Sequence, residues 1–391
     1  MIIIEKVFGV KPVLVLGFRP WALGVKRPWA LNLKKILLAF CTILITLKSL
    51  SQDKMFYLHG KVVDEKTGSV LSNASVFCQN TTTGTISNNE GLFSLRMNNG
   101  GYDLVISYTG YETQVLRVSN AMKNKDSLLI QMKEAEKAMA EVAVSGSFLV
   151  ADGWTKYGQF FLDNFIGTTA NAAQCTIENK DAISFYYYKK RNKLKVKAKE
   201  EIIILNKALG YKIRYQLDSF VNDYTTHISS YTGYPLFENI TGTAEQQELW
   251  AKNRYRTYIG SRLHFMRCWY DSTLKDEGFQ VETLNTPNSP KGTILENPYD
   301  GTIYSLDSGI VDININGSIR VTYNGQVPDK TYLMQNHFPL NSKVEVSALE
   351  MPSGFSIEEN GYFFEQSEIT NMGYWAWKKV AELVPYDYNP E

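Results

Sequence analysis

The sequence predicts a multidomain, β-rich protein: an antiparallel β-sandwich over residues 55–132, followed by an α+β region with antiparallel sheets and a few helices. Short runs of alternating apolar residues recur early in the chain, and turns rich in Gly and Asn separate them. Beyond residue 153, apolar residues at helical spacing occur between further alternating runs. With 391 residues, 44% of them hydrophobic, the chain is long enough for about two or three domains with their own cores.

The first predicted element is a secretory signal at the end of residues 1–51. Lys34-Lys35 precede an apolar run from Ile36 to Leu47, and Ser49-Leu50-Ser51 places small residues at the two positions that a signal peptidase reads. This apolar run is shorter than the roughly 20 residues that span a bilayer. We therefore expect cleavage between Ser51 and Gln52. The alternative interpretation of the run is an uncleaved anchor or a core helix.

Residues 1–30 form an extension ahead of this signal. A start of translation nearer Leu31 would place the signal at the N-terminus, where signals normally begin. Cys41 follows Phe40, whereas a lipoprotein signal requires a small residue before its cysteine. A lipid anchor is therefore not expected.

Alternating runs with turns between them predict the sandwich. The turns contain Lys66-Thr67-Gly68, Thr83-Gly84 and Asn98-Asn99-Gly100-Gly101. One face of the alternation supplies a common apolar core, made of Val62, Val76, Phe93, Leu95, Leu104 and Ile106.

The same segment carries a family resemblance. The pattern Gly60-x-Val62-x-Asp64-x-x-x-Gly68 continues in Gly91-x-Phe93-x-Leu95 and closes with Ser107-Tyr108-x-Gly110-Tyr111. It resembles the carboxypeptidase regulatory-like domain, a transthyretin-like β-sandwich common in exported proteins of Gram-negative bacteria. The resemblance covers about a fifth of the chain and implies its fold, whereas a fold alone implies no activity. The remainder, with Asn164-Phe165-Ile166-Gly167-Thr168, resembles uncharacterised envelope proteins that carry this domain at their front.

The region after the sandwich is expected to form a linker over 133–153, an α+β region over 154–285, and a β-rich C-terminal region with a final helix over 286–391. The last two could also form one body. A capping box, Thr243-x-x-Gln246, predicts one helix start, and Ser261 predicts another. The final helix is expected from about Thr370 to Leu383, because its apolar residues recur at helical spacing.

Charge excludes one class of partner. The first 51 residues hold eight of the 41 basic residues and one of the 40 acidic ones, so the rest carries 33 basic and 39 acidic residues, a net charge of −6. Such a chain has no electrostatic footprint for nucleic acid. One basic run, from Lys189 to Lys199, alternates with apolar residues. It is interpreted as the solvated face of a strand, with a contact site for anionic lipid or polysaccharide as the alternative.

The cysteines and histidines give no catalytic or metal signature. Cys78, Cys175 and Cys268 remain after processing; in an oxidising compartment Cys175 and Cys268 are the candidate disulfide, since Cys78 lies in the sandwich. None of the four histidines begins a His-x-x-Glu motif, so zinc carboxypeptidase activity is not expected. We expect no catalytic residue, no cofactor and no metal. Paired acids such as Asp276-Glu277 and Glu358-Glu359 leave a hydrolase as the alternative.

These observations favour an exported, non-enzymatic cell-envelope protein, periplasmic or associated with the outer membrane, whose sandwich acts as an interaction or spacer module. After removal of the signal it is not expected to be an integral membrane protein. The expected partner is another envelope protein or a glycan. Several aromatic residues are interpreted mostly as core or sheet-packing residues, with a binding surface for such a partner as the alternative. The candidates are Tyr186-Tyr187-Tyr188, Trp269-Tyr270, Trp375-x-Trp377 and Tyr386-x-Tyr388. The alternative is an envelope hydrolase acting on glycans or peptides, with an acidic site in 154–391.

The signal predicts a defined mature N-terminus. N-terminal sequencing of the protein from an envelope fraction should give a chain that begins at or near Gln52, because small residues flank the cut. Recovery of a chain that still carries Ile36 to Leu47 would contradict this prediction.

Overall fold

The computed structural model describes residues 55–122, 127–135, 148–287 and 289–390. The predicted signal, its cleavage site between Ser51 and Gln52, and Cys41 lie outside the described residues, as does part of the predicted linker. From Lys54 to Glu391 the chain forms one compact unit. No helix in the described ranges is both long enough and apolar enough to cross a membrane.

The predicted sandwich is present and consists of two facing sheets. A three-stranded sheet has the order β4-β1-β7, and a four-stranded sheet has the order β3-β2-β5-β6. All pairs are antiparallel except β1 with β7, which run parallel. The strands are β1 (Met55–Asp64), β2 (Ser75–Cys78), β3 (Gly84–Ile86), β4 (Leu92–Asn98), β5 (Gly101–Ser107), β6 (Gln114–Ser119) and β7 (Leu128–Met132).

The alternation seen in the sequence defines the sandwich core. Val62, Val76 and Leu104 are fully buried, and Phe93 is 5% exposed, whereas its neighbour Leu92 points outward and is 46% exposed. Phe93 packs directly on the backbone of β1. A Cβ atom at Gly60 would lie 2.3 Å from the ring of Phe93, so glycine is required at this point of the strand.

The second body is a six-stranded antiparallel sheet covered by a helix. The long strand β12 pairs along one edge with β13, and its other edge is shared by β11 and β10. Helix α1 buries Phe161 and Phe165 against this sheet. The elements are α1 (Gly153–Phe165), β8 (Cys175–Ile177), β9 (Ile183–Tyr188), β10 (Lys193–Ala198), β11 (Ile202–Asn206), β12 (Tyr211–Asp223) and β13 (Ile228–Asn239).

Two helices follow, and both begin as the sequence predicts. In α2 (Ala244–Tyr258), Thr243 and Gln246 form the reciprocal capping box. In α3 (Arg262–Tyr270), the Ser261 hydroxyl accepts a hydrogen bond from the backbone N–H of His264.

The third body combines two antiparallel sheets with the orders β15-β14-β18-β19-β21 and β16-β17-β20. Its core contains residues from both sides of the predicted boundary at 286: Phe265 and Trp269 pack with Ile319 and Leu349. The boundary therefore falls inside this body. The elements are β14 (Phe279–Leu284), β15 (Thr293–Ile294), β16 (Tyr304–Asp307), β17 (Ile310–Ile313), β18 (Gly317–Tyr323), α4 (Lys330–Gln335), β19 (Glu345–Met351), β20 (Phe355–Glu358), β21 (Thr370–Gly373) and α5 (Tyr374–Trp377).

The prediction of a final helix over 370–383 is wrong. The first part of this segment is the strand β21, which pairs with β19, and the helix α5 that follows has a single turn. Gly373 joins them with a φ of 68°, where a Cβ atom would lie 2.6 Å from the carbonyl oxygen of Val346. Trp375 is fixed by two hydrogen bonds, from its backbone N–H to Ser347 Oγ and from Nε1 to the carbonyl of Gly260. Sheet pairing overrides the helical spacing here.

The turn between β2 and β3 docks the sandwich onto the rest of the chain. Thr81 forms a parallel bridge with Leu236 of β13, and the N–H of Phe237 donates to the carbonyl of Thr81 at 2.9 Å. On its other side the turn meets residues 378–390, called the C-terminal segment below. The backbone N–H of Tyr386 in this segment donates to the carbonyl of Asn80. The turn therefore lies between the second body and the end of the chain.

A second contact joins the sandwich to the third body. Asn360 Nδ2 donates to the carbonyl of Gly101 at 2.9 Å, and the Tyr362 hydroxyl donates to Asp103 Oδ1 at 2.8 Å. The guanidinium of Arg267 donates to the carbonyl of Asn360 and to two carbonyls of the C-terminal segment. These contacts hold the sandwich against the third body.

The core position of Phe93 gives a stability prediction. Phe93→Ala should lower the free energy of unfolding by about 3–5 kcal/mol, because it removes a buried ring and leaves a cavity over Gly60. Urea unfolding of the mature chain would measure the change. The matched control is Leu92→Ala on the opposite face, expected to change stability by no more than about 0.5 kcal/mol. Equal losses in both variants would contradict the assigned register.

Candidate binding groove

The four histidines do not come together in the structure. His59 lies on β1, His227 and His337 occupy turns with positive φ, and His264 is buried in α3. Across the described part of the chain, no group of three or more His, Cys, Asp and Glu side chains is arranged to hold a metal.

His264 has a structural environment. Its Nδ1 accepts a hydrogen bond from the backbone N–H of Gly260 at 3.1 Å, and its Nε2 lies 3.5 Å from Glu277 Oε2. Burial, together with the positive charge of Arg267, lowers the pKa of His264 to about 4. The imidazole is therefore neutral near pH 7 and fixes the start of α3.

The candidate disulfide between Cys175 and Cys268 is not formed. Both thiols are free, as is that of Cys78. Cys175 begins β8 at the edge of the second body, and Cys268 is buried within α3 in the core of the third. Burial raises the pKa of the Cys175 and Cys268 thiols to about 12, so both are protonated at neutral pH.

The aromatic candidates divide between core and surface. Trp269, Trp375 and Tyr386 are buried, so they support the fold rather than offer a surface. Tyr186 and Tyr188 are only partly buried, and each lies under a lysine ammonium of the neighbouring strand. Lys197 lies over Tyr186 and Lys195 over Tyr188, which are diagonal rather than directly paired positions of β9 and β10.

The basic run lies mostly on β10, where it alternates with buried residues as the sequence predicts. Lys193 pairs with Asp223 at 3.0 Å, and Lys195 stacks over a tyrosine ring. This arrangement is typical of the outer face of a strand, and part of its charge is already neutralised.

A groove of about 680 Å³ lies between the sandwich and the second body. One wall comes from the ends of β2 and β5 and the loop after β5; the other comes from the turn after β10 and from β12. The lining side chains are mostly polar: Ser72, Asn73, Ser75, Ser107, Tyr108, Thr109, Tyr111, Thr113, Lys199, Glu200, Glu201, Arg214 and Gln216. Gly110, Ala198 and Leu217 complete the lining.

The sandwich wall of the groove presents two tyrosines. The rings of Tyr108 and Tyr111 lie 5.3 Å apart at an angle of 59°. The Tyr111 hydroxyl donates to Asp64 Oδ2 at 2.9 Å, which raises the pKa of Tyr111 to about 12. Asp64 also accepts hydrogen bonds from Thr67, which hold the pKa of its carboxyl below the ordinary value. The carboxylate therefore fixes the ring of Tyr111 in place.

The opposite wall is built around a charged cluster. Arg214 donates from Nε and Nη2 to Glu201 Oε2, at 2.8 and 2.7 Å, and its Nη1 lies 3.6 Å from Glu238 Oε1. Gln216 Nε2 donates to Thr113 Oγ1 across the groove. This hydrogen bond joins the two walls of the groove. The arrangement offers hydroxyls, amides and one oriented guanidinium to a bound molecule.

The two most perturbed carboxyl groups lie away from the groove. Burial raises the pKa of Glu345 to about 7, partly offset by the charge of Lys378, and burial with the charge of Glu359 raises the pKa of Glu358 to about 7. Both oxygens of Glu345 are buried without a hydrogen-bond partner in the described structure. Neither residue lines the groove. Glu358, of the predicted acid pair Glu358-Glu359, lies where the sandwich meets the third body, since a Cβ atom at Gly101 would lie 2.7 Å from its Cγ.

The sequence indicated only part of this groove. Tyr108 and Tyr111 belong to the family pattern, but Arg214 and Glu201 carry no motif; Glu201 directly precedes β11, and Arg214 lies on β12. Only the pairing of β11 with β12 brings them together.

Comparison with known proteins identifies the sandwich. Residues 58–144 match the family described as CarboxypepD_reg-like domain, which confirms the resemblance found in the sequence. No curated protein matches the chain. Among solved structures, one described as "Structure of the Streptococcal ancillary pilin" is similar at 14% identity with a TM-score of 0.19. The match covers 22% of this chain and 30% of that one, so the chain spans less than a third of the pilin structure.

The pKa of Glu345 predicts a pH-dependent stability. Between pH 4.5, the ordinary pKa of a glutamate, and about pH 7, Glu345 binds more protons in the folded state than in the unfolded chain. The part of the free energy of unfolding that depends on protonated Glu345 is therefore present at low pH and is lost as the pH rises through 7. Glu345→Gln mimics the protonated form. Relative to the wild type, it should become more stable as pH rises from 5 to 8, by about 1–3 kcal/mol.

Thermal or urea unfolding at several pH values would measure this difference. Glu350→Gln is the matched control, since Glu350 lies on the same strand but faces solvent. A parallel pH dependence in the wild type and Glu345→Gln would contradict the assigned titration.

Proposed function

We propose that this protein is a non-enzymatic, exported cell-envelope protein that binds a glycan in the groove between its sandwich and its second body. The proposal rests on one observation above all: the docked sandwich and β12 together form an open groove of about 680 Å³ with a polar lining. In this proposal the sandwich is one wall of a binding site, which makes it an interaction module rather than a spacer.

The chemistry of the lining favours a glycan over an apolar ligand. Sugars present hydroxyls to hydrogen-bonding side chains and C–H faces to aromatic rings. Tyr108 and Tyr111 provide rings on one wall, while Arg214, Glu201 and Gln216 provide donors and acceptors on the other. The hydrogen bond from Tyr111 to the Asp64 carboxylate limits the freedom of this ring before a ligand arrives, which lowers the entropic cost of binding.

The hydrolase alternative has less support in the groove. The carboxyl groups that line it are the neighbours Glu200 and Glu201, and Arg214 holds Glu201 through two hydrogen bonds to one oxygen. Adjacent residues do not by themselves supply the facing pair of carboxyl groups that glycoside hydrolysis uses. Glu345 and Glu358 have raised pKa values but do not line the groove.

Export supports the choice of partner. The signal before Gln52 directs the chain to the envelope, where glycans are abundant, and the mature charge of −6 argues against a polyanionic partner. The periplasm and the outer-membrane surface are the two locations consistent with this proposal.

Glycan binding is tested with the mature chain from Gln52. Calorimetric titration with soluble peptidoglycan fragments, lipopolysaccharide core oligosaccharides and neutral glucans should identify at least one that binds. Tyr108→Ala should weaken that binding about tenfold, because it removes one stacking surface worth about 1.4 kcal/mol. Arg214→Ala should weaken it further by removing the oriented donors.

Tyr57→Ala is the matched control, since Tyr57 is 58% exposed on β1 and does not line the groove. Equal affinity in Tyr108→Ala and Tyr57→Ala would place the glycan elsewhere. Binding of none of these glycans would overturn the proposal. Release of products from them, lost in Glu201→Gln, would establish the hydrolase instead.

A further inference from the structure

A smaller pocket, of about 100 Å³, lies where the sandwich, the start of α3 and the C-terminal segment meet. It is separate from the groove and shares no lining residue with it. Its lining is Asn80, Ser261, Arg262, Leu263, Asn371, Trp375, Lys378, Lys379, Glu382, Leu383 and Val384. Three of these side chains are cationic and one is acidic. Because a water molecule takes about 30 Å³ of liquid volume, the pocket has room for a small group.

Arg262 is the central cation of this pocket. Its guanidinium lies 4.9 Å from the centre of the Phe363 ring, so the ring supports one face of it. Besides burial, the side chains that affect the pKa of Arg262 are those of Tyr386 and Tyr231, and within the described ranges no carboxylate is among them. Burial lowers the pKa of Arg262 from its ordinary value. Arg262 is partly buried, and a guanidinium withdrawn from water without a carboxylate costs free energy unless an anion joins it.

The two lysines of the pocket add to this positive charge. Lys379 is partly buried, and this desolvation lowers its pKa, with no charged group of the described chain offsetting the effect. Lys378 lies over the ring of Tyr374 at 4.8 Å. Glu382, the acid in the lining, accepts a hydrogen bond from Thr169 Oγ1 at 2.6 Å, and it forms no ion pair with Arg262 or Lys379.

The start of α3 also adds to the positive potential of the pocket. Ser261 and Arg262, its cap and first residue, both line the pocket, and α3 is nine residues long. The N-terminus of a helix carries partial positive charge and offers unpaired backbone N–H groups to anions. The helix end therefore adds to a positive potential that Arg262 and Lys379 already create.

We propose that this pocket binds a small oxyanion, a phosphate or a carboxylate group, held by Arg262 and Lys379. Such an anion would supply the negative charge that these two partly buried cations lack, and Trp375 would form part of the wall around it. Since Asn80 belongs to the docking turn of the sandwich, a bound anion would also connect the three parts that meet here. The proposal goes beyond glycan binding and does not depend on it.

The test uses the mature chain with inorganic phosphate and with acetate as separate probes, each against chloride at equal ionic strength. The unfolding temperature of the wild type should rise with the concentration of at least one oxyanion and not with chloride, because a ligand that binds only the folded state stabilises it. Equilibrium dialysis with labelled probe should give about one site per chain. The response to phosphate or to acetate tells which oxyanion the pocket accepts.

Arg262→Gln and Lys379→Gln should each raise the half-saturating concentration at least about tenfold, as loss of one charged contact predicts. Lys252→Gln, at an exposed position of α2, is the matched control and should leave the response unchanged. If Arg262→Gln fails to fold, Lys379→Gln alone decides. The same response in Lys379→Gln as in Lys252→Gln, or no response of the wild type to either oxyanion, would overturn the proposal.

Discussion

The docking of the β2–β3 turn is the constraint on which the rest of the structure depends. Residues 79–83 lie between β13 and the C-terminal segment, and the contacts there are largely backbone hydrogen bonds: Phe237 to Thr81, Asn80 to Pro235 and Tyr386 to Asn80. Thr81 is fully buried, so each of its polar groups needs a partner inside the protein. Because these bonds fix the sandwich against the second body, its loops become the wall of a groove, and the junction beside the turn becomes a pocket.

Charge is distributed unevenly over this framework. In the groove, Arg214 is matched by Glu201 and Glu238 and remains accessible to solvent, so it retains the ability to bind without a large cost to the fold. At the other junction, Arg262 and Lys379 are partly buried and have no carboxylate partner among the described residues. Lys378 links this pocket to Glu345, whose carboxyl pKa it lowers against the effect of burial. Charges withdrawn from water without a partner reduce stability, and such groups are candidates for ligand binding.

The sandwich shows why a family match can identify a fold without identifying a function. Its core is local, with Phe93 against Gly60, and it would be the same in a tethered spacer as in a docked module. The difference lies in Asp103 and Gly101, which contact Tyr362 and Asn360 about 260 positions further along the chain. The fold of the sandwich provides one wall of the groove, and the body packed against it decides which side chains face that wall.

The sequence by itself determined the sandwich, the alternating strands of the second body and the starts of α2 and α3, because these depend on local periodicity and on caps such as Thr243 and Ser261. It also identified Tyr108 and Tyr111 as part of a pattern. It was wrong about a helix over 370–383, where pairing with β19 is stronger than helical spacing, and about the Cys175–Cys268 pair, whose members lie in different bodies. Only the tertiary structure placed Arg214 and Tyr108 in one groove and Lys379 and Arg262 in one pocket. The members of each pair are more than 100 positions apart in the chain, and local sequence patterns do not report on contacts at such distances.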